Sequence, residues 1–245
     1  MPLLSGSLPI PLAMIEFGHL THVGLRRELN EDTYYGDSEL GLWLVADGMG
    51  GHEYGEVASA LARETIVREV RDGTSLAQAI RIADEEIIRA SRRRNDALPM
   101  GTTVVAARVT GNRFEVAWVG DSRVYLWRDG QLAQLSQDHS YVQELIAQGA
   151  ISAEQARSHP HRNVVTQALG VTDPNQLNVE TMTGELRPGM RQRKSPALPG
   201  FFLPLDRPGI TGDLRPRRSS CRPRSSAPRS AAPWTWPSRS APSLS

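Results

Sequence analysis

The chain has 245 residues, 22% of them charged, and a formal net charge of +1; this suffices for one large domain or two small ones and excludes a strongly basic nucleic-acid binder or a wholly disordered acidic chain. That average joins two unlike polymers: residues 1–190 hold 17 Arg and no Lys against 25 acids (net −8), and residues 191–245 hold 11 basic residues against 2 Asp (net +9). The single cysteine, Cys221, excludes a disulfide framework and a thiolate zinc site, and no run of about 18 apolar residues is present, so a cytoplasmic protein without a membrane anchor is expected.

Residues 1–13 have no basic start and carry Pro9 and Pro11, which argues against a signal peptide and predicts a disordered extension, as from an upstream start codon. From Met14 the pattern becomes ordered. Strands are predicted over Phe17–Val23 and Asp32–Tyr35, then over the apolar run Leu40–Ala46, which stops at Asp47-Gly48-Met49-Gly50-Gly51. Val57, Ala58, Leu61, Thr65 and Ile66 then recur at helical spacing up to Gly73, and a second helix runs from a Thr74/Ser75 cap through Leu76, Ala79, Ile80, Ala83 and Ile87.

From Thr102 the period changes to two. Strands over Thr103–Val109, Phe114–Val119, Val124–Trp127 and Leu132–Leu135, joined by turns at Gly111-Asn112, Gly120-Asp121-Ser122 and Asp129-Gly130, read as an antiparallel meander. Strands and helices come in blocks, which favours a layered α+β domain over a doubly wound parallel sheet. Ser136–Gly170, with a short helix at Val142–Gln148, a capped turn at Ser152 and a breaker at Pro160, reads as an insertion over the sheets. Residues 191–245 hold 10 Pro, 10 Ser and no apolar period; they read as a disordered basic tail in which only Phe201-Phe202-Leu203 could pack well.

Three short stretches could carry chemistry. An Asp at the end of a buried strand followed by Gly-Met-Gly-Gly offers a fixed carboxylate and accessible carbonyls, the oxygen donors that hard divalent cations need, although a plain Asp-Gly turn has the same spelling. Arg27, Glu31 and Asp32 put a guanidinium and two adjacent carboxylates just before a strand, where a solvated charged turn is the bland reading. Gly120-Asp121-Ser122-Arg123 is a hairpin turn or a ligand loop. Together, in this order, they carry more than any one alone.

The ordered set Val23-Gly24…Arg27…Asn30-Glu31-Asp32, Val45–Gly51, Gly101-Thr102-Thr103, Val119–Arg123 and Asp138-His139-Ser140 resembles the metal-dependent protein Ser/Thr phosphatases of type 2C in their compact bacterial form. The resemblance covers about residues 15–190, so a phosphatase-like domain over 14–190 is expected between the extension and the tail. It implies an αββα sandwich, two packed antiparallel β-sheets flanked by helices, with its C-terminal part incomplete here.

It further implies two Mn²⁺ or Mg²⁺ ions, with a third more weakly held, and a hydroxide between the two metals that attacks phosphorus. Asp47 matches the carboxylate bridging both metals, Gly48 a carbonyl donor, Glu31 an acid reaching one metal through water, and Asp121 an acid of the third site. Asp32 matches the acid that orients water, and Arg27 the phosphate-binding arginine. Met49 stands where eukaryotic relatives carry a His proposed as general acid; His139 is a candidate substitute, with a structural or solvated His as the alternative.

The implied partners are phosphorylated Ser/Thr proteins, targets of a bacterial Ser/Thr kinase. The implied enzyme is a monomer with neither membrane nor nucleic acid among its partners.

Family members continue after a segment like Glu185–Gly189 with a strand ending in Ser-Asp-Gly and later an Asp-Asn, and neither motif is present. Asp206 follows an apolar run but Arg207 replaces the glycine. A reading-frame shift near Met190 accounts for this change of text; an evolved basic tail that binds nucleic acid or an acidic partner is the competing account. The alternative function is an inactive remnant that only binds phosphoproteins or regulates.

Overall fold

A computed structural model of the chain describes residues 15, 17–25, 29–49, 54–93, 99–128, 131–186 and 201–203. In chain order the strands are β1 (Asp32–Asp37), β2 (Leu42–Met49), β3 (Gly101–Thr102), β4 (Val104–Thr110), β5 (Arg113–Val119), β6 (Val124–Arg128), β7 (Gln131–Gln134), β8 (Glu180–Glu185) and β9 (Phe201–Leu203). The helices are α1 (Tyr54–Arg71), α2 (Leu76–Arg93), α3 (Tyr141–Ala147) and α4 (Ala153–Arg157). Among the described residues no helix is long and apolar enough to cross a membrane.

The larger sheet runs β1-β2-β4-β5-β8 with β3 on β2, and the smaller runs β7-β6-β9. Every pair in the larger sheet is antiparallel, whereas β9 lies parallel to β6. Side chains alternate across the larger sheet as a pleat requires. On one face Leu42, Leu44, Val104, Ala106, Ala117 and Val119 pack against Ala58, Ile66, Ile80 and Ile87 of α1 and α2. On the other, Trp43, Val105, Ala107, Val116 and Trp118 form a second core with Val124 of β6. The result is the expected α+β architecture of two packed sheets with helices on the outer face of the larger one.

Local chemistry sets the helix ends. Behind α1, Gly73 takes φ +92° while its N–H bonds Val70 O at 3.2 Å and Thr74 N–H bonds Glu69 O at 2.9 Å, the paired closure of a Schellman cap. Ser75 starts α2, its carbonyl accepting from Ala79 N and its Oγ from Gln78 N. Ser152 and Gln155 close a capping box on α4.

Several expectations are corrected. Residues 17–23 form no strand: Phe17 meets the Trp43 ring edge-on and His19 stacks on Tyr34 at 4.1 Å, but the alternating Leu20 stays 93% exposed, so the segment has no second buried partner. β2 does not stop at Asp47; it continues through Gly48 and Met49 because β3 pairs there, Gly48 with Thr102 and Met49 with Gly101. The meander is split between sheets: after β5, Gly120 turns at φ +104° and β6 pairs with β7 and β9 in the other layer, where Val124 N–H bonds Ser136 Oγ.

Two strands had no clear signal. β8, Glu-Thr-Met-Thr-Gly-Glu, is a largely exposed edge on β5, and β9 lies inside the tail expected to be disordered. The extension 1–13, the Asp129-Gly130 turn, Cys221 and Asp206 lie outside the described residues.

Candidate active site

One end of the larger sheet carries a straight row of residues. Asp32 on β1 stands opposite Asp47 on β2. The β2–β4 register, continued past Val45–Val105, sets Thr103 beside Asp47, where Thr103 N–H bonds Asp47 O at 2.9 Å. The β4–β5 register, continued past Val104–Val119, sets Gly120 beside Thr103 and Asp121 just after it. Since β2 alternates, Asp47 shares the face of Trp43 and Val45 that looks toward the smaller sheet, and Gly48 shares the helix face of Leu44 and Ala46. The row therefore opens at the rim of the space between the sheets, with Asp32 and Asp47 exposed.

Behind the row, Glu31 is anchored to the helix layer. Its carbonyl accepts from Gly48 N at 3.1 Å and from Ser59 Oγ at 2.7 Å. A Cβ on Gly55 would lie 2.5 Å from Glu31 Oε1, and one on Gly48 would lie 2.1 Å from Gly55 O. Glycine is needed at both positions for α1, β2 and the Glu31 segment to approach this closely. Ahead of β1, Asn30 Nδ2 donates to Thr21 Oγ1 at 2.7 Å and Asn30 Oδ1 accepts from Asp32 N at 3.2 Å, which ties Thr21 to the start of β1. Arg27, like Gly50 and Gly51, lies outside the described residues.

Asp47 is held by its backbone. Its carbonyl accepts from Thr102 Oγ1 at 3.0 Å in addition to Thr103 N, and its N–H points to Thr103 Oγ1 at 3.3 Å. Thr103 Oγ1 also shares a hydrogen bond of 2.8 Å with Ser122 Oγ. Burial, with nearby Asp138 second, holds the Asp121 carboxyl above the usual range. Arg123 clamps Asp138 through Nε at 2.9 and 3.0 Å and through Nη2 at 2.5 Å.

His139 is buried and structural in its contacts. Its Nδ1 accepts from Gly120 N at 3.1 Å and its own N–H bonds Gly120 O at 2.9 Å, so a neutral ring carries its proton on Nε2, 3.4 Å from Glu180 Oε1. This fits the structural reading of His139, since the ring braces the turn before Asp121.

Among the candidate residues, Glu31, Asp32, Asp47 and Gly48 come together, with Asp121 on the same end of the sheet. Gly55, Ser59, Thr103 and Ser122 carry the framework and were given no role from sequence. Small residues at Gly55 and Ser59, four apart on one helix face, are the signal that could have found the first two. Among the described residues no three of His, Cys, Asp and Glu converge on one point. The donors present are nevertheless all hard oxygens, and the Gly48 cradle leaves no room for a side chain, so the set suits Mg²⁺ or Mn²⁺ in kind and not a soft metal.

The fold is thus an α+β sandwich with its candidate acids at one end of the larger sheet. The protein phosphatase 2C model matches residues 19–145, and the chain belongs to that family. It is 41% identical over 152 residues to the serine/threonine protein phosphatase PstP of Mycobacterium tuberculosis, covering 60% of this chain and 29% of that protein. It is 41% identical over 138 residues to the serine/threonine phosphatase stp of Listeria monocytogenes, covering 52% and 55%. The matches thus span about half or less of these relatives. The crystal structure of the PstP catalytic domain in complex with two manganese ions superposes with a TM-score of 0.59 at 34% identity, over 68% of this chain and 70% of that one.

Proposed function

We propose that residues 14–190 form a metal-dependent protein phosphatase domain that hydrolyses phosphoserine and phosphothreonine in proteins. The observation that carries this reading is the placement of Asp32 opposite Asp47, with Glu31 anchored directly behind them against Gly48 and Gly55. The manganese-bound relative supports the choice of cation. Asp47, the Gly48 carbonyl, Glu31 and Asp121 would hold two or three Mn²⁺ or Mg²⁺ ions. Bound there, the cations supply Lewis-acid charge that lowers the pKa of water and offsets the charge of a phosphoryl group.

The chain's own residues do the rest. Asp32 orients the attacking water by accepting its hydrogen bond, and the Arg27 guanidinium grips the phosphoryl oxygens with a two-pronged contact. The substrates are phosphoproteins made by a bacterial Ser/Thr kinase, and the enzyme works in signalling as a cytoplasmic monomer, in keeping with a chain that has one cysteine.

The test is manganese-dependent hydrolysis of p-nitrophenyl phosphate and of a phosphothreonine peptide. Asp47→Asn should lose at least about 100-fold in rate with an unchanged circular dichroism spectrum, because the exposed side chain keeps its shape and loses its charge. Arg27→Ala should raise KM for the peptide roughly 10- to 150-fold, equivalent to about 1.5–3 kcal/mol, and leave the manganese requirement alone. Full activity in Asp47→Asn would refute the reading.

A further inference from the structure

Thr103 occupies a position in this site that none of the assigned roles uses. It is 1% exposed and lies in the row between Asp47 and Gly120. Its Oγ1 faces Asp47 N at 3.3 Å and Ser122 Oγ at 2.8 Å, and its N–H bonds Asp47 O at 2.9 Å. A Cβ on Gly120 would lie 2.6 Å from both Thr103 Cβ and Cγ2, so the turn that presents Asp121 is moulded onto this one side chain. One hydroxyl thus touches both acid-bearing segments, and a buried hydroxyl with two fixed partners has no rotational freedom left to spend.

We propose that Thr103 is a positioning residue whose hydroxyl locks the Asp47 strand end to the Asp121 turn and so sets the affinity of the site for divalent cations. The inference rests on the metal-dependent reading above. The chemistry is that of a residue behind a ligand: it touches no cation, but its hydrogen bonds fix where the carboxylates stand, and such partners commonly tune metal affinity by 10 to 100-fold. Valine at this position has nearly the same shape and no hydroxyl, whereas serine keeps the hydroxyl and loses only a methyl group.

The experiment is calorimetric titration of the full chain with MnCl₂, well below its melting temperature. Thr103→Val should weaken the tightest Mn²⁺ binding about tenfold or more, and Thr103→Ser should stay within about twofold of the parent. Ser136→Ala, which removes a comparable buried acceptor from Val124 N–H (3.1 Å) without reaching Asp47 or Asp121, should leave the affinity unchanged; this separates positioning from loss of stability.

Parent-like binding by Thr103→Val, or equal weakening by Thr103→Ser, would overturn the proposal. If Thr103→Val does not fold, Ser122→Ala decides: it cuts only the hydroxyl-to-hydroxyl link and should still cost several-fold in Mn²⁺ affinity, and parent-like binding there overturns the proposal equally. Asp47→Asn in the same series tells the two levels apart. If it binds Mn²⁺ like the parent, the reading of the site fails; if it weakens binding while Thr103→Val does not, only the role of Thr103 falls.

Discussion

The two sheets are built from similar strands and are enclosed very differently. The larger sheet is covered on both faces, by α1 and α2 on one side and by the smaller sheet on the other, and Leu42, Leu44, Val104, Ala107 and Val119 are all at 0% exposure. In the smaller sheet β7 is exposed at three of its four positions, and β6 is held over four residue pairs by β7 and three by β9. All the candidate acids sit on the end of the enclosed sheet or on the turn leaving it. A site that must hold carboxylates to a fraction of an ångström is placed on the part of the fold whose backbone has the fewest alternatives. The smaller sheet acts as a wall whose contacts with the site run through the Gly120–Arg123 turn and His139.

The same substitution in the two sheets should break this comparison if it is wrong. Leu44, fully buried between β2 and the helices, leaves a cavity in a core that cannot collapse, so Leu44→Ala should cost about 3–5 kcal/mol in urea unfolding. Leu126 on β6 is 8% exposed and, among the described residues, stands outside the two apolar clusters, and Leu126→Ala should cost less, about 2 kcal/mol. Equal costs would show that the smaller sheet is packed as tightly as the larger.

Asp84 sharpens the contrast from within the helix layer. It is 2% exposed on α2, and its Oδ1 accepts from Gly170 N at 2.7 Å, which pins the loop leading toward β8 onto the helix. Burial holds its carboxyl above the usual range against the opposing pull of that hydrogen bond. Because the folded pKa lies above the unfolded value of 3.8, this group's favourable contribution is complete below about pH 4 and is lost as pH rises through the folded pKa. Asp84→Asn keeps the acceptor and cannot ionise, so its stability relative to the parent should rise across that window and then level off. Asp84→Ala should instead cost about 1–3 kcal/mol at neutral pH by stranding the Gly170 N–H. Stability curves of both variants from pH 3 to 8 check the sign.

The same division governs what could be read from the sequence. β4, β5 and α1 were legible within about three residues at each end because each buries a face with its own period; α2 was legible from its cap but only as far as Ile87, its last buried residue, and the helix runs on to Arg93; the caps at Ser75 and Ser152 are local chemistry. β8 was not, since Thr181, Thr183 and Glu185 face water and only pairing with Val116 and its neighbours makes the segment a strand. β3 is two residues long, and its partners Gly48 and Met49 lie more than 50 residues upstream. The crossing of β6 into the other layer is likewise non-local: β6 pairs with β7 and with the distant β9. In the site, the acids were legible as motifs and so was the Gly101-Thr102-Thr103 stretch, but the part Thr103 plays was not, nor was Ser59 at all, because a buried hydroxyl shows its role only once its partners are in place.

The smallest expected effect compares two ion pairs, one from each region. On α2, Arg89 reaches Glu85 at 3.0 Å and Glu86 at 2.9 Å, with all three side chains at least one-third exposed. Such helix-surface pairs are screened by solvent, and Arg89→Ala should change stability by about 0.3–0.5 kcal/mol. Beside the smaller sheet, Arg123 grips both oxygens of Asp138, whose side chain is only 9% exposed, and also donates to Tyr125 OH at 3.3 Å. The hydrogen bond with Asp138 is the main reason the Arg123 guanidinium is held above its ordinary pKa. With Arg123 itself 44% exposed, part of that attraction is lost to water. Arg123→Lys, which keeps the charge and loses the planar fork, should therefore cost about 1 kcal/mol, more than the helix pair yet far less than a cavity. Raising salt from 0.05 to about 0.5 M should erase the Arg89 effect and leave most of the Arg123 effect, because the fork's geometry and the buried partner are insensitive to screening. If both effects vanish together in salt, the Arg123 fork is only another surface pair, and the smaller sheet is joined to the segment before His139 by hydrogen bonds such as Gln134 Nε2 to Asp138 Oδ1 at 3.2 Å and Val124 N to Ser136 Oγ at 3.1 Å.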